Sequence, residues 1–269
     1  MIFELENINY SYLGRIPALR GLNLAVKDTE KAVLMGANGT GKSTLLALLN
    51  GLIFSDSGSF RAFGKKLREG DFSDDAFSSD FRRKVGFVFQ NPDIQLFCPT
   101  VEEDVMFGPL NLGVPVDEAK KRLKNLAESL KFSHLLKRSP HQLSIGEKKK
   151  IAIAGVLSIE PDVLLLDEPT AGLDPATARD IIDIILGENK RGRTIVTATH
   201  DLHIVAEIAD IVHVFDSANT IVRSLGPEEI LSDEQFLKDH NLIHIHKHRH
   251  AGSLHTHPHT HIDHHGEHC

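Results

Sequence analysis

Few cysteines, no long apolar run and a shortage of positive charge each exclude a class of protein for this chain. The two cysteines, Cys98 and Cys269, stand far apart with one at the last position, so no disulfide framework is expected and the compartment should be reducing. Apolar residues come in short stretches such as Val33-Leu34-Met35 and Val163 to Leu166, far below the roughly 18 to 20 residues that cross a bilayer. Neither a membrane span nor a signal peptide is expected, and the cytosol is the expected compartment. Lys and Arg number 30 against 37 Asp and Glu, a formal net charge of −7. Such a chain lacks the broad basic surface of a general nucleic-acid binder, and no nucleic-acid partner is expected.

What is present is a chain of 269 residues with 41% hydrophobic content, enough for one substantial core or a large domain with a smaller one attached. Histidine breaks the uniformity: 12 of 17 fall between His240 and His268. The division expected is a folded unit over residues 1–239 and a chemically distinct, flexible His-rich tail over 240–269.

Period-two alternation in residues 1 to 30 predicts antiparallel strands, and Lys31 to Met35 predicts a compact buried one. A glycine-rich loop follows, then a helix from Lys42 to Asn50 with Leu45, Leu46, Leu48 and Leu49 inside and Gly51 as its stop. Residues 66 to 80 show little periodicity and read as an exposed loop before a strand from Val85 to Phe89. Helical spacing of Ala119, Leu123, Leu126, Ala127 and Leu130 predicts a surface helix capped by Asp117. A further helix after Gly146, a strand from Val163 to Leu166, a helix over 175–186 opened by Asp174-Pro175, and strands at 194–198, 211–215 and 221–225 complete the reading. Strands alternating with helices argue for a largely parallel α/β sheet.

Gly36-Ala-Asn38-Gly39-Thr40-Gly41-Lys42-Ser43 is G-x-x-x-x-G-K-S between a strand and a helix, the context that a phosphate-binding loop requires. Glycines let backbone amides turn around phosphate oxygens and the helix N-terminus adds partial positive charge. Lys42 is then placed for the β- and γ-phosphates of ATP, with Ser43 ligating Mg²⁺ and Thr44 beside it. The apolar run ending in Asp167-Glu168, 125 residues after Lys42, supplies the second half. Asp167 can hold Mg²⁺ through water and Glu168 can act as base for the attacking water.

Leu143-Ser144-Ile145-Gly146-Glu147 lies before a helix, with Ser144 23 residues upstream of Asp167, and resembles the signature motif of ABC-type ATPases. Tyr12 resembles the aromatic that stacks on adenine, Gln90 the Q-loop glutamine that ligates Mg²⁺, Ala171-Gly172-Leu173-Asp174 the D-loop, and His200 the switch histidine of that family. The resemblance covers residues 1 to about 235. It implies an ABC nucleotide-binding domain: an α/β P-loop core, an antiparallel β subdomain and a helical signature subdomain over about 92–158. It also implies Mg-dependent ATP hydrolysis in a homodimer or paralogue dimer, with Ser144, Gly146, Glu147 and Asp174 of one subunit facing nucleotide bound by the other. Ile145 and Glu147 depart from the family's usual Gly or His and Gln, which predicts a bulkier signature loop, an extra negative charge near the polyphosphate, and turnover that is slow or depends on a partner. Lys148-Lys149-Lys150 reads as a solvated basic face.

The segments Gln90 to Phe97, Thr100 to Asp104 and Phe107 to Gly113 resemble energy-coupling-factor importers, especially their cobalt and nickel branch. That resemblance implies a peripheral subunit on the cytoplasmic face of the membrane, working with a transmembrane coupling subunit and substrate-binding integral subunits. In the tail, His244, His246, His248 and His250, then His255, His257, His259 and His261, alternate along the chain, followed by His264, His265, His268 and Cys269. Alternation places imidazoles on one side of an extended chain, with Gly252 and Pro258 as turns; neutral imidazole suits Ni²⁺, Co²⁺ and Zn²⁺. The expected function is the ATPase subunit of a nickel or cobalt importer. A vitamin-type energy-coupling-factor ATPase and a nucleotide-switched metal-storage or chaperone protein fit the same residues.

Overall fold

The computed structural model describes residues 1–250 and 253–259, with side chains over 1–243. The first strands are β1 (Phe3–Tyr12) and β2 (Ile16–Val26), and β3 (Lys31–Met35) leads through the glycine loop into α1 (Lys42–Leu49). Strands β4 (Ser57–Ala62) and β5 (Lys65–Lys66) join β1 and β2 in a four-stranded antiparallel sheet of order β2-β1-β4-β5.

Helix α2 (Asp75–Lys84) runs into strand β6 (Val85–Val88). Helices α3 (Val101–Asn111), α4 (Val116–Ser129) and α5 (Ile145–Leu157) form a helical segment before β7 (Val163–Asp167). The chain then passes through α6 (Pro175–Lys190), β8 (Thr194–Thr199), α7 (Leu202–Ile208), β9 (Ile211–Phe215) and β10 (Ile221–Leu225). The larger sheet has order β10-β9-β3-β8-β7-β6, parallel throughout except for its edge strand β10. Parallel strands covered on both faces become continuous apolar runs, which is why Val163 to Asp167 and Thr194 to Thr199 are buried at every position.

Helix α1 is the pivot of this arrangement. Leu45, Leu46, Leu48 and Leu49 are all buried in one core that also holds Leu19 and Leu22 of β2 and Leu165 of β7, so α1 packs against both sheets and its N-terminus opens from the loop that leaves β3. A second core joins α3, α4 and α5 to the other face of β7 through Val105, Leu123, Ile153 and Leu166. A third gathers α7, β9, α8 (Pro227–Ser232) and α9 (Glu234–Asp239), and includes Leu242 and Ile243.

Three sequence expectations change. Residues 66 to 80 are not a loop throughout: Asp74 caps α2 by accepting from the N–H groups of Ala76 and Phe77, and Phe72, Phe77 and Phe81 pack on one another. Asp117 lies in the first turn of α4, whose N-cap is Pro115. In the tail, the backbones of β11 (His244–His250) and β12 (Ser253–His259) pair antiparallel, and Pro258 lies within β12 opposite Ile245, not at a turn. Gly252, His261, His264, His265, His268 and Cys269 lie outside the described residues, as do the side chains of the tail from His244 onward.

Candidate functional site

The phosphate loop leaves β3 at the carboxyl end of the parallel sheet, with Gly39 at φ 83° and Gly41 at φ 101°. A Cβ on Gly41 would stand 2.3 Å from the carbonyl oxygen of Ala18, and one on Gly36 2.9 Å from Phe215 Cβ. Glycine at 41 is therefore required by conformation and by space together. No side chain caps the first turn of α1, so its amide N–H groups remain donors for an anion. Thr40 is buried beneath the loop, donating its hydroxyl to the Ala37 carbonyl at 2.9 Å.

Lys42 is 5% exposed and curls over the loop, its Nζ donating to the carbonyls of Gly36 at 2.6 Å and Ala37 at 3.0 Å. Burial holds its pKa below the ordinary lysine value, with Glu168 and Asp167 acting in the opposite sense. A cleft of about 420 Å³ opens above it, lined among others by Tyr12, Asn38, Gly39, Gly41, Ser43, Thr44, Gln90 and Glu168. Tyr12 and Thr44 share a hydrogen bond at 3.0 Å, and the Tyr12 ring stands edge-on to Tyr10. Asn219 also lines the cleft and donates Nδ2 to the Gly39 carbonyl at 3.1 Å. It comes from the turn between β9 and β10, where no sequence motif marks it.

Strand β7 ends in Asp167 and delivers Glu168, the next residue, to this cleft. Asp167 is buried with the Ser43 side chain near its carboxyl, and burial raises its pKa. Its Oδ1 is buried without a hydrogen-bond partner among the described residues. An orphaned carboxylate oxygen beside a serine hydroxyl is a hard oxygen donor set that fits Mg²⁺. Glu168 is 5% exposed and takes φ 44°, the left-handed region that a side chain with Cβ enters at a cost. Its N–H donates to the Ala198 carbonyl at 2.9 Å. Its carboxylate accepts from His200 Nδ1 at 2.7 Å and from Thr199 Oγ1 at 3.3 Å. The hydrogen bond to Glu168 raises the His200 pKa above its ordinary value.

Ser144, Gly146, Glu147 and Asp174 lie outside this cleft. Ser144 caps α5 in a reciprocal box: its Oγ accepts from Glu147 N–H at 3.3 Å, and Glu147 Oε2 accepts from Ser144 N–H at 2.8 Å. That bond is the main reason the Glu147 pKa lies below the usual carboxylate range, and its charge serves the helix start. Gly146 packs α5 closely on α6, since a Cβ there would meet Thr177 Cγ2 at 2.5 Å. Asp174 caps α6, accepting from Ala176 and Thr177 N–H at 3.0 Å each. The solvated basic face expected at Lys148-Lys149-Lys150 is corrected: Lys149 is 4% exposed, while Lys148 pairs with Asp93 and Lys150 with Asp180. Helical geometry turns the middle residue inward while its neighbours flank it.

Beside α5, Asp104 Oδ1 accepts from the N–H groups of Phe97 and Cys98, both at 3.1 Å, and ties down the segment after Gln90. On the outer side of that segment Ile94, Phe97, Phe107 and Leu110 are exposed, and the rings of Phe97 and Phe107 meet edge-on at 4.8 Å. Among the described residues no group of three or more His, Cys, Asp or Glu is arranged to hold a metal ion, and no helix is long and apolar enough to cross a membrane.

Residues 19–171 match the family described as ABC transporter. The chain is 45% identical over 245 residues to the nickel import ATP-binding protein NikO of Rhodobacter capsulatus, covering 90% of this chain and 95% of that one. It is 44% identical over 237 residues to the energy-coupling factor transporter ATP-binding protein EcfA of Methanothermobacter thermautotrophicus, covering 88% and 75%. A solved structure of cbiO1 from Clostridium perfringens, described as part of the ABC transporter complex cbiONQ, matches with a TM-score of 0.77 at 38% identity, covering 90% and 94%.

Proposed function

The chain belongs to the ABC transporter family as an ATP-hydrolysing subunit of the energy-coupling-factor kind, and from that premise we propose that it powers uptake of nickel or cobalt. The observation that carries the ATPase chemistry is the meeting, in one cleft, of the phosphate loop with Glu168, itself held by His200. Metal cargo is supported by the names of the nickel and cobalt relatives and by the histidine run in the tail.

In this reading the adenine stacks on Tyr12, freed from its bond to Thr44, and the phosphates draw Lys42 away from the Gly36 and Ala37 carbonyls. Lys42 then offsets phosphate charge together with the amides of Asn38, Gly39, Thr40, Gly41 and Ser43. Ser43, Gln90 and Asp167 would hold Mg²⁺, which when bound neutralises charge on the β- and γ-phosphate oxygens. Glu168 accepts the proton of the attacking water, and His200 orients that carboxylate and contacts the γ-phosphate. Ser144 and Gly146, at the capped start of α5, close the corresponding cleft of a second ATPase subunit, and Asp174 faces the same junction. The exposed Ile94, Phe97, Phe107 and Leu110 receive the transmembrane coupling subunit at the cytoplasmic face. Beyond the ATPase unit, the His-rich tail binds the transition metal as a local reservoir or sensor.

The test is reconstitution with the integral subunits in vesicles. Mg·ATP should drive Ni²⁺ or Co²⁺ accumulation, and the ion should stimulate hydrolysis. Stimulation by a vitamin with none by metal would overturn the cargo and favour the vitamin-type reading.

A further inference from the structure

Lys149 sits on α5 five residues after Ser144, is buried, and does not itself line the nucleotide cleft. Its Nζ donates to the backbone carbonyls of Glu168 and Ala171, both at 2.8 Å. Among the described residues it forms no ion pair with a carboxylate. Burial pushes its pKa down to about 8. Glu168 and Asp167 act in the opposite sense without cancelling that effect, and an ammonium withdrawn from water with no carboxylate in contact destabilises a fold relative to an apolar side chain of that size. What it supplies is geometry.

The two carbonyls bracket the sharp reversal between β7 and α6. Glu168 holds its left-handed φ of 44° at the start of the reversal and Gly172 holds φ 72° near its end. Backbone bonds across it are long: Ala171 N–H to the Glu168 carbonyl at 3.2 Å and Leu173 N–H to the Thr170 carbonyl at 3.3 Å. At the Glu168 carbonyl the Lys149 ammonium is the shorter contact, and at Ala171 it meets a carbonyl that no backbone N–H engages among the described residues. Rotation of the peptide after Glu168 would re-aim its side chain relative to Lys42 and Ser43. Helix α5, meanwhile, is fixed to the first turn of α6 through Gly146 and Thr177.

We propose that Lys149 is a positioning residue that locks the signature helix to the backbone of Glu168 and to the reversal leading to Asp174, so that these parts move as one rigid piece. Displacement of α5 by a partner subunit is thereby passed to the carboxylate in this chain's own cleft. The proposal rests on the reading of Glu168 as the base.

The test uses the full chain, with steady-state Mg·ATP hydrolysis and fluorescent-nucleotide binding. Lys149→Met should lower kcat about tenfold or more, the size expected for a misplaced catalytic group, while the nucleotide Kd changes less than about twofold. Lys149→Arg, which keeps charge and multiple donors, should retain at least about half of the wild-type kcat. Wild-type kcat in Lys149→Met, parallel loss of binding and kcat, or an arginine variant as impaired as the methionine one would each overturn it. Should Lys149→Met not fold, Lys149→Gln carries the same expectation. Glu168→Gln is measured alongside: undiminished hydrolysis there removes the base assignment itself, whereas its loss with normal Lys149→Met removes only the lock.

Discussion

Glu168 joins three demands at one position: a strained backbone, a buried carboxylate and a partnered histidine. Replacing it with Gln preserves size and hydrogen bonding but removes the base, so ATP binding should persist while turnover falls about a hundredfold or more, as measured by phosphate release. His200 carries a pH signature. Its pKa is raised above the ordinary 6.5 by the bond to Glu168, so the pair's stabilisation is fully present below about pH 6.5 and is lost as pH rises through the raised value. Melting temperatures of the wild type and His200→Ala should therefore differ at low pH and converge in the alkaline range; a gap that widened with pH would contradict this. At this scale the sequence showed the residue types, since Lys42, Ser43, Asp167 and Glu168 belong to compact motifs. It did not show Asn219 or the inward turn of Lys149, because both depend on which face the chain presents to distant neighbours.

Among the elements, α1 was legible because its leucines share a helical face and glycines bound it on both sides. Gly41 is the position least open to change. Gly41→Ala would force a Cβ against the Ala18 carbonyl in a left-handed conformation, and nucleotide binding measured by fluorescence should fall sharply. Helix α2 was missed because its composition is polar and its apolar contribution is a few phenylalanines. Those rings pack on each other across the 66–81 segment, a tertiary contact without a local period. The cap at Asp74 makes the helix testable: Asp74→Ala should cost about 1 kcal/mol in denaturant unfolding, and no change would show that the phenylalanines alone hold it. In the signature helix, Glu147, expected to bring an extra charge near phosphate, is also engaged by the N–H of Ser144, a reciprocal cap visible as S-x-x-E in the sequence.

For the whole molecule, the metal role proposed for the tail is tested apart from the ATPase unit. Leu242 and Ile243 pack in the third core, so a truncation that leaves the ATPase unit whole ends at Ile243. Removing residues 244–269 should abolish most Ni²⁺ or Co²⁺ binding in a calorimetric titration and leave basal ATPase within about twofold. Several sites surviving in the shortened chain would sink the reservoir idea. Since imidazole must be neutral to ligate, metal binding by the full chain should weaken below about pH 6.5.

The sequence by itself determined the α/β class, the phosphate loop, the acidic strand end and the order of the motifs, because each is written in a few adjacent residues or in a local period. It also marked the His-rich segment by composition alone. Only the tertiary structure decided that Asp167 keeps an unpartnered oxygen beside Ser43 and that Glu168 is held by His200. The middle of three lysines ties two parts of the chain together for the same reason: these are contacts between residues far apart in the chain, fixed by sheet order and helix packing and not by spacing.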